Sequence, residues 1–136
     1  MTQSLRHAIL RADAVFLLVA ASGGFLTDLT GAFLGIGPQA KVFANAPYSA
    51  IGFVEAHGLA FIIGVLLWRA EPVRFWHLTA AAVHILLGTA NIVFWQIFIA
   101  TEMLAGGYVT TSLHVGFAAL QLLAANAAGT SEVRHR

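Results

Sequence analysis

The sequence predicts an all-α protein, an integral membrane four-helix bundle with both termini cytoplasmic. Three observations carry this expectation. Of 136 residues, 59% are hydrophobic and only 10% are charged, with a mean hydropathy of +0.81, which is more apolar surface than a soluble domain of this length can bury. Four apolar stretches are long enough to approach or exceed the roughly 20 residues that cross a hydrocarbon core of about 30 Å. The basic residues between them fall almost entirely on one side.

The first span covers about residues 10–26, behind a short basic head. The start MTQSLRHAILRADAVFLLVAASGG also has the composition of a signal peptide, but its removal would leave an odd number of helices, so it is read as a span. Residues 27–47 contain Gly31, Gly35, Gly37, Pro38 and Pro47 and read as the longest loop. Its apolar Phe33, Leu34 and Ile36 predict a segment lying at the membrane surface.

The second span, about residues 48–68, ends at Arg69 and Glu71-Pro72, where proline stops the helix and charge marks the water interface. The third covers about residues 75–100, with Trp76 near one end and Phe94 and Trp95 towards the other. The fourth covers about residues 108–127, before a polar tail. No repeat of 20 to 50 residues is visible, so the chain reads as a single four-span domain. Arg6, Arg11, Arg69, Arg74, Arg134 and Arg136 lie on one side of this layout and Lys41 alone on the other, six of the seven basic residues. The positive-inside rule then places both termini in the cytoplasm.

A formal net charge of +1, with its basic residues dispersed, carries no nucleic-acid signature. The absence of cysteine excludes disulfides, zinc ribbons and iron–sulfur clusters built by this chain alone. Helix association must therefore rest on small residues and interhelical hydrogen bonds. Ala56, Ala60 and Gly64, then Ala80, His84 and Gly88, then Ala118 and Ala125 form the candidate stripes.

The second span places Glu55 and His57 at a depth where ionisable groups are costly. In the third, His77, His84 and Asn91 recur every seven residues, and in the fourth His114 and Gln121 repeat that spacing with Thr111 beside them. Seven residues return to one face within about 20°. Two such stripes should face each other, because imidazoles and amides pointed at lipid would go unpaired. The candidate ligand-binding residues are thus Glu55, His57, His84, Asn91, His114 and Gln121, with Phe61, Phe94, Trp95 and Phe117 as apolar wall. Asp13, Asp28 and Glu102 sit near span ends and read as solvated or capping groups, and Trp76 and His77 as interfacial.

Several readings of the cluster remain open. It can be packing glue, worth about 0.6 to 2 kcal/mol per contact, or a pocket for a quinone, lipid or similar small hydrophobic molecule. A metal or haem held by His57, His84 and His114 is a further reading. Counting about 1.5 Å per residue puts His57 near the midplane and His84 and His114 about 5 Å to either side, a mismatch of roughly 10 Å that disfavours haem between the last two. A proton path through Glu55 and the histidines is related chemistry; as a transporter, four short spans would need a homo-oligomer. The expected partners are the bilayer, the ligand and another protein or a second copy; no catalytic residue is assigned.

The stretch IGFVEAHGLAFIIGVLLWRA resembles the second helix of DoxX-like small membrane proteins, through Glu55, Gly58, Gly64 and Arg69, with Arg11, Gly23 and Gly24 similar in the first span. The resemblance implies a four-helix inner-membrane protein associated with redox or sulfur metabolism, acting beside soluble oxidoreductases or quinone-linked enzymes. His84, Asn91, His114 and Gln121 lie outside that pattern.

Overall fold

A computed structural model describes the backbone of residues 1–133, and side chains through residue 129. Arg134 and Arg136, used above for orientation, lie outside the described residues. The chain forms α1 (Gln3–Leu29), a π-helical turn (Thr30–Leu34), α2 (Ala40–Asn45), α3 (Ser49–Arg69), α4 (Arg74–Val93), α5 (Gln96–Ala100) and α6 (Leu104–Val133). Among the described residues four helices are long and apolar enough to cross a membrane: Gln3–Leu34, Ser49–Arg69, Arg74–Val93 and Leu104–Gly129.

The first helix is longer at both ends than the apolar run. Thr2 caps it by accepting a hydrogen bond from the Leu5 amide, and no Gly or Pro interrupts the turns before Gly23. It does not stop at Leu26, and the predicted loop begins late. The helix widens through Thr30–Leu34 and is closed by Gly35, whose φ of 66° only glycine adopts freely. The short α2 then folds back, so that the Gly31 backbone lies under Gln39, Ala40 and Phe43.

The third span is shorter than expected. At about 1.5 Å per residue, the 20 residues of α4 already cover about 30 Å. The chain then turns at Phe94 and Trp95 and forms α5. No Gly or Pro marks this break in the sequence; packing makes it. Trp95 lies against Phe98 and Tyr108 with ring centroids 5.4 and 4.8 Å away, and the Phe98 ring covers Gly107, where a Cβ would come within 2.7 Å of it. The fourth helix continues to Val133, through what the sequence offers as a polar tail.

α1 packs mainly on α3, and α4 mainly on α6; the two pairs meet chiefly where α1 crosses α6. Leu10, Ala14, Leu17, Leu67, Ala70 and Ala80 make the apolar core, with Phe16, Ile63, Trp76 and Leu87 packed against it. Most other large apolar side chains face outward, among them Val19, Leu26, Ile62, Leu86, Ile92 and Leu123, as helices in contact with lipid require. At the end where α1 begins, Arg6 Nη1 donates to the Ala127 carbonyl at 3.3 Å. There the Arg11 guanidinium also lies 4.6 Å from the Trp68 ring centroid.

At the opposite end, Lys41 and Glu102 pair at 2.8 Å, with both side chains more than two-thirds exposed. The pairing raises the lysine and lowers the carboxyl from their ordinary values, through a hydrogen bond first and charge second. Its contribution is lost as pH falls through the lowered carboxyl value or rises through the raised lysine value, and at this exposure it is small.

Close approach of α1 and α3 depends on Gly64, where a Cβ would lie 3.0 Å from Leu18 Cγ and 3.2 Å from the Leu18 amide. Gly64→Val is expected to cost about 1–3 kcal/mol in thermal unfolding of the detergent-solubilised chain. Gly52→Val, with nothing within 4 Å of the new carbon, is expected to leave the midpoint almost unchanged.

Candidate functional site

A carboxylate on α1 is the centre of the buried polar residues. Asp13 is fully enclosed, and both its oxygens are engaged: Oδ1 lies 2.6 Å from His84 Nε2 and Oδ2 accepts from Gln121 Nε2 at 2.5 Å. From His84 the chain continues to His114, Nδ1 to Nδ1 at 2.8 Å. From Gln121 it continues to His77, whose Nδ1 lies 2.6 Å from Oε1. The result is one unbroken line, His77–Gln121–Asp13–His84–His114, drawn from α1, α4 and α6.

Aromatic rings wall the His84–His114 end. Phe117 stacks on His84 at 5.2 Å between centroids, and Phe16 lies 6.0 Å from His84, 5.5 Å from His114 and 5.3 Å from Phe117. On the far side the Gly88 backbone comes so close that a Cβ there would lie 3.3 Å from the His114 Cβ. The imidazoles are held in place by packing as well as by hydrogen bonds.

The hydrogen bonds fix the proton positions if Asp13 is ionised and the histidines neutral. The Gln121 amide nitrogen faces Asp13, so its carbonyl faces His77 and His77 carries its hydrogen on Nδ1. His84 donates through Nε2, which leaves its Nδ1 bare to accept from His114 Nδ1–H. Every hydrogen in the line therefore points towards the carboxylate. Two bare acceptors remain, Nε2 of His77 and Nε2 of His114. The first is buried without a partner. The second belongs to a residue that keeps 8% of its exposure, and no bond to it is formed among the described residues.

This arrangement can take up one proton. A proton arriving on His114 Nε2 lets His114 pass its Nδ1 hydrogen to His84 Nδ1, which makes His84 an imidazolium directly on the Asp13 carboxylate. The buried charge is then neutralised as an ion pair rather than left alone in an apolar interior. Thr111, one turn before His114 on α6, has a buried hydroxyl without a partner. Residues at that spacing lie about 5–6 Å apart on a helix surface, so the line ends beside an open hydroxyl.

Of the six residues expected at the site, His84, His114 and Gln121 come together and the other three do not join them. His57 pairs instead with Asp28 of α1, Nδ1 to Oδ2 at 2.5 Å. Glu55, two residues away and so about 200° round α3, is exposed on the outer surface. Asn91 donates to Thr110 Oγ1 at 3.3 Å, a separate bond between α4 and α6. Of the expected wall only Phe117 borders the site, since Phe61 and Phe94 are exposed and Trp95 packs with Phe98 and Tyr108.

Asp13 and Asp28 are not solvated caps but fully buried, and His77, one turn into α4, is fully buried as well. Their signal was available, because Asp13 stands between Ala12 and Ala14 in a run that continues VFLLVAA, where no water would reach it on a buried face. The expected separation of His84 and His114 is also overturned, their ring centroids lying 5.1 Å apart. With α4 ending at Val93, His84 lies beside its midpoint, and His114 falls within about 4 Å of the middle of Leu104–Gly129. The three-imidazole donor set of His57, His84 and His114 does not assemble, and His84 has both nitrogens occupied. Among the described residues no three His, Asp or Glu side chains are arranged to hold a metal.

Removing the Asp13 carboxylate leaves two buried donors facing nothing. Asp13→Leu is expected to cost about 2–5 kcal/mol in thermal unfolding. Asp13→Asn should cost clearly less, because a flipped Gln121 amide and a changed His77 tautomer restore the line. Comparison of protein-family models, curated proteins and solved structures with this chain gives no match.

Proposed function

We propose that the chain is a four-span integral protein of the cell inner membrane, with both termini cytoplasmic, that binds a small hydrophobic, hydroxyl-bearing molecule of the quinol kind at the His114 end of the buried line. The observation that carries this reading is the pair of open polar atoms on adjacent turns of α6. His114 Nε2 is a bare acceptor and the Thr111 hydroxyl is a donor without a partner. Beside them Phe16 and Phe117 offer flat apolar surface. A ring carrying a hydroxyl or carbonyl complements all three features.

In this reading Thr111 donates to an oxygen of the ligand and His114 Nε2 accepts the hydrogen of a hydroxyl. Transfer of that hydrogen leaves the ligand oxygen anionic and moves one proton into the line, where it rests between His84 and Asp13. Gln121 orients the carboxylate and His77 orients Gln121. Such a site suits an accessory component of a redox-linked membrane system, the role that the resemblance to DoxX-like proteins also implies. The residues of the line, Thr111, Phe16 and Phe117 are used; Glu55, His57 and Asn91 take no part.

The test is titration of a decyl-substituted benzoquinol into the detergent-purified chain, followed by calorimetry. Saturable binding is expected for the wild type. His114→Leu and Thr111→Val are each expected to weaken it at least about tenfold, or ~1.4 kcal/mol, in bundles that still unfold cooperatively. Equal binding by wild type and variants, or none by either, contradicts the reading and leaves the line as interhelical glue.

A further inference from the structure

The end of α1 that leads into the π-helical turn carries a second enclosed carboxylate. Asp28 is fully buried; its Oδ2 holds His57 Nδ1, and its Oδ1 has no partner. The His57 ring lies directly over Gly24, where any Cβ would clash with it, so the glycine fixes the imidazole against Asp28. A second buried oxygen without a partner is Oε1 of Gln39, whose amide reaches Thr27 at the same end of α1.

The identity of that oxygen follows from its neighbours. Thr27 has one hydroxyl hydrogen and gives it to the Gly24 carbonyl at 2.8 Å. Its oxygen can therefore only accept from Gln39, at 3.2 Å, so the amide nitrogen faces Thr27 and the carbonyl oxygen is the open atom. Thr27 is the residue beside Asp28. One end of α1 thus gathers two buried acceptors, one of them on a carboxylate, and among the described residues no donor satisfies either.

We propose that Asp28 Oδ1 and Gln39 Oε1 hold a small monovalent cation of the sodium kind. Two oxygen donors and a single carboxylate suit a hard ion of one positive charge, whereas softer metals favour nitrogen or sulfur and a divalent ion usually takes more carboxylate oxygens. The nitrogen at the site, His57 Nδ1, is already committed to Oδ2. Bound there, the ion ties α1 to the segment entering α2, because Gln39 immediately precedes that helix.

The experiment is thermal unfolding of the full chain in detergent as NaCl, LiCl or KCl replaces choline chloride at constant ionic strength. The proposal expects a saturable rise in the wild-type midpoint with at least one of the three salts, about 4 °C when the ion reaches tenfold its Kd. Gln39→Leu and Asp28→Asn should abolish the rise. Should Asp28→Asn not fold, Gln39→Leu and loss of sodium NMR line broadening decide the matter. His114→Leu, which touches nothing at this end, should keep the full rise, so quinol binding and ion binding fail independently. No shift in the wild type with any of the three salts means a bound water only and overturns the proposal, as does an undiminished shift in Gln39→Leu.

Discussion

Everything in the interior is arranged around the need to keep the Asp13 carboxylate away from water without leaving it alone. An isolated carboxylate in an apolar medium carries a desolvation penalty of many kcal/mol, and charge-assisted hydrogen bonds return about 1.5–3 kcal/mol each. Asp13 receives one on each oxygen, from His84 and from Gln121. Those two residues belong to different helices, so one side chain on α1 ties α4 and α6 together and sets their relative register. The small residues Ala80 and Gly88 on α4 and Ala124 and Ala125 on α6 are buried around this line, which lets the helices come close enough for the bonds to form.

The same device is used twice on one helix. Asp13 and Asp28 stand 15 residues apart, about 22 Å along α1, and each is matched to an imidazole from another helix, His84 of α4 and His57 of α3. The first joins the α1–α3 pair to the α4–α6 pair; the second locks α1 to α3. The two dyads differ in what they leave open. At Asp13 both oxygens are used and the open atoms are nitrogens at the ends of the line. At Asp28 the carboxylate itself is incomplete, with one oxygen bare. A site that can take a proton and a site that can take a cation are the natural consequences of that difference.

The four apolar spans were legible because hydropathy and length are local properties, and Pro47, Pro72 and Gly35 mark real boundaries. The seven-residue spacing puts His77 and His84, and His114 and Gln121, on facing stripes, and all four lie in the buried line, whereas Asn91 of the same stripe bonds Thr110 instead and His77 is not among the residues the spacing alone offers as a site. What local pattern could not supply was which face of α1 and α3 turns inward. Glu55 and His57 share a span, yet the face of α3 that meets α1 is set by Gly64 against Leu18 and by His57 over Gly24, contacts between segments about 30 to 45 residues apart. Asp13 reads as a solvated or capping group because it lies near the start of a span counted from about residue 10. The helix begins at Gln3, so Asp13 lies about three turns inside it. The break at Phe94 was likewise invisible, being made by ring packing of α5 on α6.

The hydrogens of the line converge on Asp13. Nitrogen NMR of the imidazoles in selectively labelled protein tests this convergence most directly, because hydrogen-bond couplings and nitrogen shifts report which ring atom carries each hydrogen. The expected spectrum has His77 and His114 protonated on Nδ1, His84 protonated on Nε2, and a coupling between the two Nδ1 atoms of His84 and His114. Three rings with mixed tautomers and no coupling between His84 and His114 would contradict it.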